Sequence, residues 1–472
     1  MRRSQMLLLG ALLLAYNVNL RQVSSHDTYA SRFVPISIVN DGDLILDEFV
    51  PESLKQLAGD DFSSDYFHYA RGHFYDSHPP IGPLLAVPVY ALPVWIGIPA
   101  RPELIANLFS KLAASIMAAL SALAVFGASR RVLAATSASL FDERVGDRET
   151  RAALLAAIAY GLGTSVWSTA SLAIWTHTPA VLGYAVALWA LTANRAALAG
   201  AAAAAAVIAR PATAPAAAVL GMYLAHQSID KSRWTDLFRF CVGAAVTGLA
   251  GVLYNYWLFG NAVGGAPFRT AYWMRELVTT SMFSGSLPVG LAGLTASPGR
   301  GILFFSPIVC VAAAGALRAW RAAAPADRRP SLIGFGRADA VRLLRYASIA
   351  ALAILLTYSK FIAWWGGHGY GPRYLTDAMP FVGLLFAAGF HPLVGKSQGL
   401  RVGHTAAMAL LAYSIAVQAV GAFCWPSPWT LNNNPPYRFR LWDWRDNEIA
   451  MCIRSGPRID PAAQRLLSRM GF

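Results

Sequence analysis

Apolar stretches of roughly bilayer-crossing length recur along this 472-residue chain. A helix needs about 20 mostly apolar residues to span the hydrocarbon core of a membrane. Candidates lie near 6–22, 104–126, 153–171, 179–193, 197–209, 211–226, 240–258, 301–318, 345–362, 374–392 and 404–423. Charged residues make up only 14% of the chain against 56% for the AVILMFWYC set, whereas soluble domains carry about 25% charge. So few charges cannot coat a soluble surface of this size. A secreted disulfide scaffold, a disordered chain and a soluble nucleic-acid binder are excluded, and no nucleic-acid partner is expected. The expected fold class is an all-α polytopic membrane protein with about 11 transmembrane helices, within a range of about 10–13.

The first span follows Arg2 and Arg3 and lacks a small-residue cleavage site, which marks an anchor and not a removed signal. The apolar stretch 80–99 is left out of the count. Pro83, Pro88 and Pro93 each remove a helical donor, so a juxtamembrane or re-entrant segment is expected there. With the N-terminus inside, the cytoplasmic pieces hold 19 Lys and Arg, while the longer external loops hold 8 with Arg210 included. That asymmetry explains the net charge of +14 by the excess of Lys and Arg in cytoplasmic loops. The tail 424–472 carries seven arginines on the external side; long tails translocate largely regardless of charge. The expected organisation is a transmembrane domain over 1–423, with a first external loop at 24–83, and a short external tail.

Clusters that hydropathy does not demand fall on the external side. The loop 24–83 has ten acidic residues against three basic ones. Asp27 directly follows the first span, where it reads either as a helix cap or as a base taking a proton from an acceptor hydroxyl. Asp43, Asp47 and Glu48 read as turn chemistry around Gly42 or as substrate contacts. An acidic divalent-metal site is conceivable there, but no spacing specifies one. His78 precedes Pro79-Pro80, which hold it in a stiff turn above the bilayer; a fixed imidazole binds phosphate when protonated. His177 sits in the turn Trp175-Thr176-His177, as a cap or as a functional group. Arg210-Pro211 breaks two Ala-rich helices, leaving a charge at or inside the membrane. Arg300 stands between glycines in Ser297-Pro298-Gly299-Arg300-Gly301, a setting for anion binding or for snorkelling to lipid phosphate.

The densest cluster runs Trp364-Trp365-Gly366-Gly367-His368-Gly369-Tyr370-Gly371-Pro372-Arg373-Tyr374. Its glycines permit close backbone approach, the aromatics of Trp365, Tyr370 and Tyr374 offer faces for a sugar or isoprenoid, and Arg373 suits bidentate pairing with phosphate. The four cysteines have no zinc spacing; Cys424 and Cys452 both fall on the external side, where a disulfide is permitted.

In order and sidedness these motifs resemble the bacterial GT-C superfamily glycosyltransferases, in particular relatives of the protein mannosyltransferases and the lipid A aminoarabinose transferase. The resembling pieces are Asp27 in the acidic first loop, His78-Pro79-Pro80, Trp175-Thr176-His177, Arg210-Pro211, Phe259-Gly260-Asn261, Ser297-Pro298-Gly299-Arg300-Gly301 and Gly371-Pro372-Arg373-Tyr374. The resemblance implies transfer of a sugar from a polyprenyl-phosphate donor to an acceptor hydroxyl at the outer face of the bacterial cytoplasmic membrane. The acceptor would be a cell-envelope glycan, lipid or protein, and no cofactor is implied. It assigns Asp27 as general base and His78, Arg300 and Arg373 as donor-phosphate contacts. Asp43, Asp47, Glu48, His177, Arg210, Trp365, His368, Tyr370 and Tyr374 are candidate substrate contacts. A lipid-linked-sugar transporter or flippase is the second class, but its polar groups belong near the bilayer midplane and within inverted repeats, neither of which the sequence displays.

Overall fold

The computed structural model describes residues 3–21, 28–56, 66–97, 103–137, 143–276, 279–322, 335–393, 398–424, 429, 439–458 and 468. Helix accounts for 74% of it. In chain order the main helices are α1 (Arg3–Asn17), α2 (Val34–Asn40), α3 (Ile81–Trp95), α4 (Glu103–Thr136), α5 (Glu143–Leu162), α6 (His177–Thr192), α7 (Ala196–Ala209) and α8 (Ala214–Lys231). They continue as α9 (Trp234–Phe259), α10 (Ala266–Glu276), α11 (Leu287–Ala296), α12 (Val309–Arg321), α13 (Arg337–Ser359), α14 (Met379–Phe390), α15 (Gln398–Cys424) and α16 (Glu448–Ser455). One antiparallel hairpin, β1 (Phe67–Ala70) and β2 (His73–Asp76), pairs Phe67 with Asp76 and Ala70 with His73. Its turn, Arg71-Gly72, has positive φ at both residues, the twist that a two-residue hairpin requires.

Four helical stretches are long and apolar enough to cross a membrane: Leu104–Thr136, Trp234–Phe259, Arg337–Ser359 and Arg401–Cys424. This is a multi-pass membrane protein. On α9 the exposed large apolar side chains are Trp234, Phe238, Val242, Val246, Leu249, Leu253, Tyr256 and Trp257, spaced mostly three or four apart. A contiguous apolar stripe of this kind is stable only against lipid or another apolar surface. The other side of α9 meets α7 where both backbones lack side chains. A Cβ on Gly200 would stand 1.9 Å from the Phe240 carbonyl oxygen, and one on Gly243 would stand 2.0 Å from that of Ala197. Small residues let helices approach this closely where no hydrophobic driving force separates helix from lipid.

Several expectations change at the level of elements. Within the stretch 80–99, Ile81–Trp95 form a continuous helix, α3, with Pro88 and Pro93 inside it. At 15 residues it is still shorter than a bilayer span. The loop expected over 259–300 contains α10 and the apolar α11. The candidate 153–171 splits, because α5 stops at Leu162 and a separate turn follows at Val166–Ala170. The break at Arg210-Pro211 is present: Arg210 is extended, with φ −144° and ψ 90°, between α7 and a single 3-10 turn.

The first loop packs as a small cap. Phe33 stacks on Phe49 at 4.4 Å, and Phe67, Phe74 and Ile36 form a core with Tyr90 of α3 and Met117 of α4. At the other end of the chain, a disulfide joins Cys424 to Cys452 with Cα atoms 5.5 Å apart, tying α16 to the end of α15.

Candidate functional site

The break after α7 brings an arginine to a cluster of buried side chains. Arg210 Nε lies 2.9 Å from Asp377 Oδ2. Arg210 also donates to the Tyr358 hydroxyl from Nε at 3.0 Å and Nη2 at 2.6 Å, and to Thr176 Oγ1 at 2.8 Å. Tyr358 in turn donates to Asp377 Oδ2 at 3.2 Å. The other oxygen, Asp377 Oδ1, meets His177 Nδ1 at 2.8 Å, and both of those side chains are fully buried. Tyr374 stacks on Tyr358 at 4.6 Å, with the rings 7° from parallel. A buried carboxylate costs several kcal/mol unless it is paired and hydrogen-bonded; here Arg210, Tyr358 and His177 together satisfy Asp377. The result is a preorganised guanidinium held from behind.

Arg210 faces a chamber of about 420 Å³ that is also lined by His78, Thr176, Arg269, Ser281 and Tyr358. An apolar groove of about 460 Å³ runs beside it along α7 and α9, walled by Ala203, Val207, Ile208, Phe240 and Val252. The two cavities share His78, Pro79, Pro211, Ala266 and Arg269. At this junction His78 is fixed by Asp76, whose Oδ1 accepts from the His78 backbone N–H at 2.9 Å and lies 3.2 Å from its Nδ1. Ser31 Oγ donates to the second Asp76 oxygen at 2.5 Å. With Nδ1 and the backbone both directed at Asp76, the imidazole is locked in one orientation. Arg269 of α10 donates to the Ser77 carbonyl, which ties α10 to the His78 turn.

The structure separates the sequence candidates into groups. His78 and Arg210 line the chamber, while His177 and Tyr374 stand behind Arg210. Arg373 is buried with its guanidinium 5.1 Å from the Trp175 ring and 5.4 Å from that of Tyr374. The glycine-rich turn wraps this arginine. A Cβ on Gly369 would come within 2.5 Å of Arg373 Cδ, and Gly366 and Gly371 have φ of +80° and +61°. The close approach that Gly366 and Gly369 permit is thus to Arg373, while Gly371 lies against Phe305. Arg300 is fully buried in an ion pair with Glu448 of α16, and its guanidinium lies 5.2 Å from the Trp429 ring. Glu448 also accepts from the Gly371 N–H at 2.9 Å, so Arg300 holds the C-terminal segment onto the glycine turn.

Tyr370 is a core residue whose hydroxyl donates to the Val417 carbonyl at 2.9 Å, and its ring meets Phe305 edge-on at 5.1 Å. Trp365 is half-buried and His368 is exposed. Asp43 accepts from Ser37 Oγ at 2.6 Å and the Ile45 N–H at 2.9 Å. Asp47 accepts from the Phe74 N–H at 2.7 Å and pairs with His73 Nδ1 at 2.7 Å. Glu48 is exposed. These two aspartates perform turn and loop closure. Asp27 lies outside the described residues. Among the described residues no group of three His, Cys, Asp or Glu side chains is placed to hold a metal ion.

Asp377, Tyr358, Asp76 and Glu448 carry the geometry without having been singled out. Asp377 had a legible signal: it is the one carboxylate within any of the eleven apolar stretches, and an intramembrane ionisable residue marks function by default. Tyr358 had none, since a tyrosine near a helix end is ordinary belt composition. No protein-family model matches the chain, and no curated protein matches it.

Proposed function

We propose that the chain is a GT-C-like glycosyltransferase of the bacterial cytoplasmic membrane, moving a sugar from a polyprenyl-phosphate donor to an acceptor hydroxyl. The observation that carries this reading is the junction of the apolar groove with the cationic chamber at His78 and Arg269. An isoprenoid tail suits the groove, and the phosphate and sugar suit the chamber. In this reading eleven spans place the N-terminus in the cytoplasm and the chamber and C-terminus outside. The Cys424–Cys452 disulfide supports that sidedness, because disulfides persist in oxidising compartments.

The chemistry follows from charge. The glycosidic C–O bond breaks toward the phosphate as the acceptor oxygen attacks, and the developing negative charge needs fixed cations in a dry site. Arg210, held by Asp377 and Tyr358, and Arg269 and His78 at the junction are the groups in contact with that space. Arg373 and Arg300, first expected at the phosphate, act from the second layer: Arg373 backs Tyr374 and Trp175, and Arg300 fixes the glycine turn. Asp27 remains the proposed base for the acceptor proton; its neighbour Thr28 is fully buried in the segment that leads to the Ser31–Asp76 contact. The acceptor is a glycan, lipid or protein of the cell envelope.

Purified protein incubated with radiolabelled polyprenyl-phosphate sugars and membrane extract should move label from the lipid to an acceptor. Arg210→Ala should lower that transfer by about 10²–10³-fold, the loss typical of one preorganised charge-stabilising donor. Full transfer by the folded Arg210→Ala protein would remove the chamber from the chemistry. Net movement of intact donor across proteoliposomes, with no label on any acceptor, would favour a flippase.

A further inference from the structure

A further cavity, of about 520 Å³, lies between α12, α13 and α14. Its walls are largely apolar and include Ala313, Leu317, Leu352, Leu355 and Val382. Leu375 and Ala378 line it at the start of α14, and Trp320 and Ser348 line it at the end of α12. Arginines gather at that second end. Arg345 donates to the Ala319 and Ala322 carbonyls at 2.9 Å and 2.6 Å, and its guanidinium lies 5.6 Å from the Trp320 ring. Arg318 donates to the Gly389 carbonyl of α14 at 2.7 Å. Arg318 and Arg321 are both exposed. We propose that this cleft binds an anionic phospholipid, with one acyl chain between the helices and the phosphate at Arg318, Arg321 and Arg345.

Depth and charge together select this ligand, whatever the chamber transfers. On α12 the lining runs from Val309 to Trp320, about 17 Å at 1.5 Å per residue. One leaflet is about 15 Å deep, half of a hydrocarbon core of about 30 Å. The cleft therefore suits a chain that hangs from the headgroups of a single leaflet. A groove open to hydrocarbon forfeits the contacts of its lining unless a chain fills it. The arginines stand at one mouth, on the side that loop charge assigns to the cytoplasm. Basic pockets between spanning helices on that side recognise phosphate headgroups. A lone arginine at a helix end snorkels to any lipid phosphate; here the slot beneath three of them also fixes the tail. The α9 stripe of Val242, Val246, Leu249 and Leu253 is the contrast, a face of one helix that any chain can cover.

The test uses the full-length protein in phosphatidylcholine nanodiscs with a trace of phosphatidylglycerol carrying a photoreactive group in its acyl chain. Adducts mapped by mass spectrometry should concentrate around Ala313, Leu317, Leu352 and Val382. Unlabelled phosphatidylglycerol should compete for them, and phosphatidylethanolamine should not. Arg321→Gln should weaken the competitor's affinity about fivefold, the weight of one basic side chain near an anionic headgroup. Arg318→Gln provides the same test where the first variant does not fold. Ala313→Phe fills the cleft from an exposed position and should remove the adducts; Leu352→Trp does so from α13. Equal competition by phosphatidylethanolamine, or labelling of the α9 stripe as heavy as that of the cleft, would overturn the site. So would adducts unchanged in both filling variants, or an affinity unchanged in both arginine variants. Stronger competition by polyprenyl phosphate than by phosphatidylglycerol would overturn the phospholipid as occupant.

Discussion

His68 shows how a single side chain makes stability depend on pH. Its ring lies between Phe259 at 4.9 Å and Phe268 at 4.7 Å, and its buried Nδ1 has no hydrogen-bond partner among the described residues. Burial lowers its pKa below the ordinary 6.5, because the charged form cannot be solvated there. The unfolded chain therefore binds the proton first on acidification. Stability from this residue is complete above 6.5 and is lost as pH falls from there toward the lowered folded value. The midpoint of thermal unfolding should fall between about pH 7.5 and pH 5.5, and it should fall less in His68→Phe, which keeps the aromatic stack and cannot titrate. Equal acid sensitivity in the two proteins would exclude His68 as the cause. Other residues were only half legible. The sequence pointed to Arg373 among glycines, since no packing rule asks for that combination. It did not reveal that the glycines enclose the arginine itself, because whether a bare backbone approaches a ligand or a neighbour is decided by tertiary placement. Arg300 is similar: its glycine flanks were visible, but its partner Glu448 lies 148 positions away.

Elements were legible where length and hydropathy agreed. The apolar run at 240–258 lies within α9, that at 345–362 lies within α13 up to Ser359, and the proline after Arg210 marks a helix break as expected. At α3 the prolines point away from a full span, and the helix is indeed short, but it runs on through Pro88 and Pro93. Leu84, Leu85, Leu92 and Trp95 are exposed on this helix, and an apolar surround disfavours any backbone group left without an internal partner. The ten-residue α11 falls inside an expected loop, because so short an apolar run gives no signal of a span. The packing of α7 on α9 provides a test with an internal control. Gly200→Ala drives a Cβ into the Phe240 carbonyl, so it should destabilise by about 1–3 kcal/mol, the usual cost of overpacking. Gly248→Ala adds the same methyl where nothing lies within 4 Å, and it should unfold like the parent. Equal unfolding midpoints for the two variants would contradict the close helix contact.

At the scale of the whole molecule, three regions distant in sequence meet at the chamber. The first loop supplies His78, the α7–α9 pair supplies the groove, and the segment from Tyr358 to Asp377 supplies the support for Arg210. Charge asymmetry between loops gave sidedness and the general position of a polar face, because topology leaves its mark on composition. It did not give the groove, which depends on how α7, α9 and the His78 turn come together in space. The most direct measurement is photo-crosslinking of the full-length protein in nanodiscs with a polyprenyl phosphate carrying a photoreactive group in its tail, followed by mass-spectrometric mapping of the adducts. Labelling is expected on α7 and α9 around Val207, Phe240 and Val252, competed by unlabelled polyprenyl phosphate and weakened in Arg269→Ala. Competable labelling confined to the separate apolar cleft between α12 and α14 near Leu317 and Val382, with α7 and α9 unmarked, would contradict it.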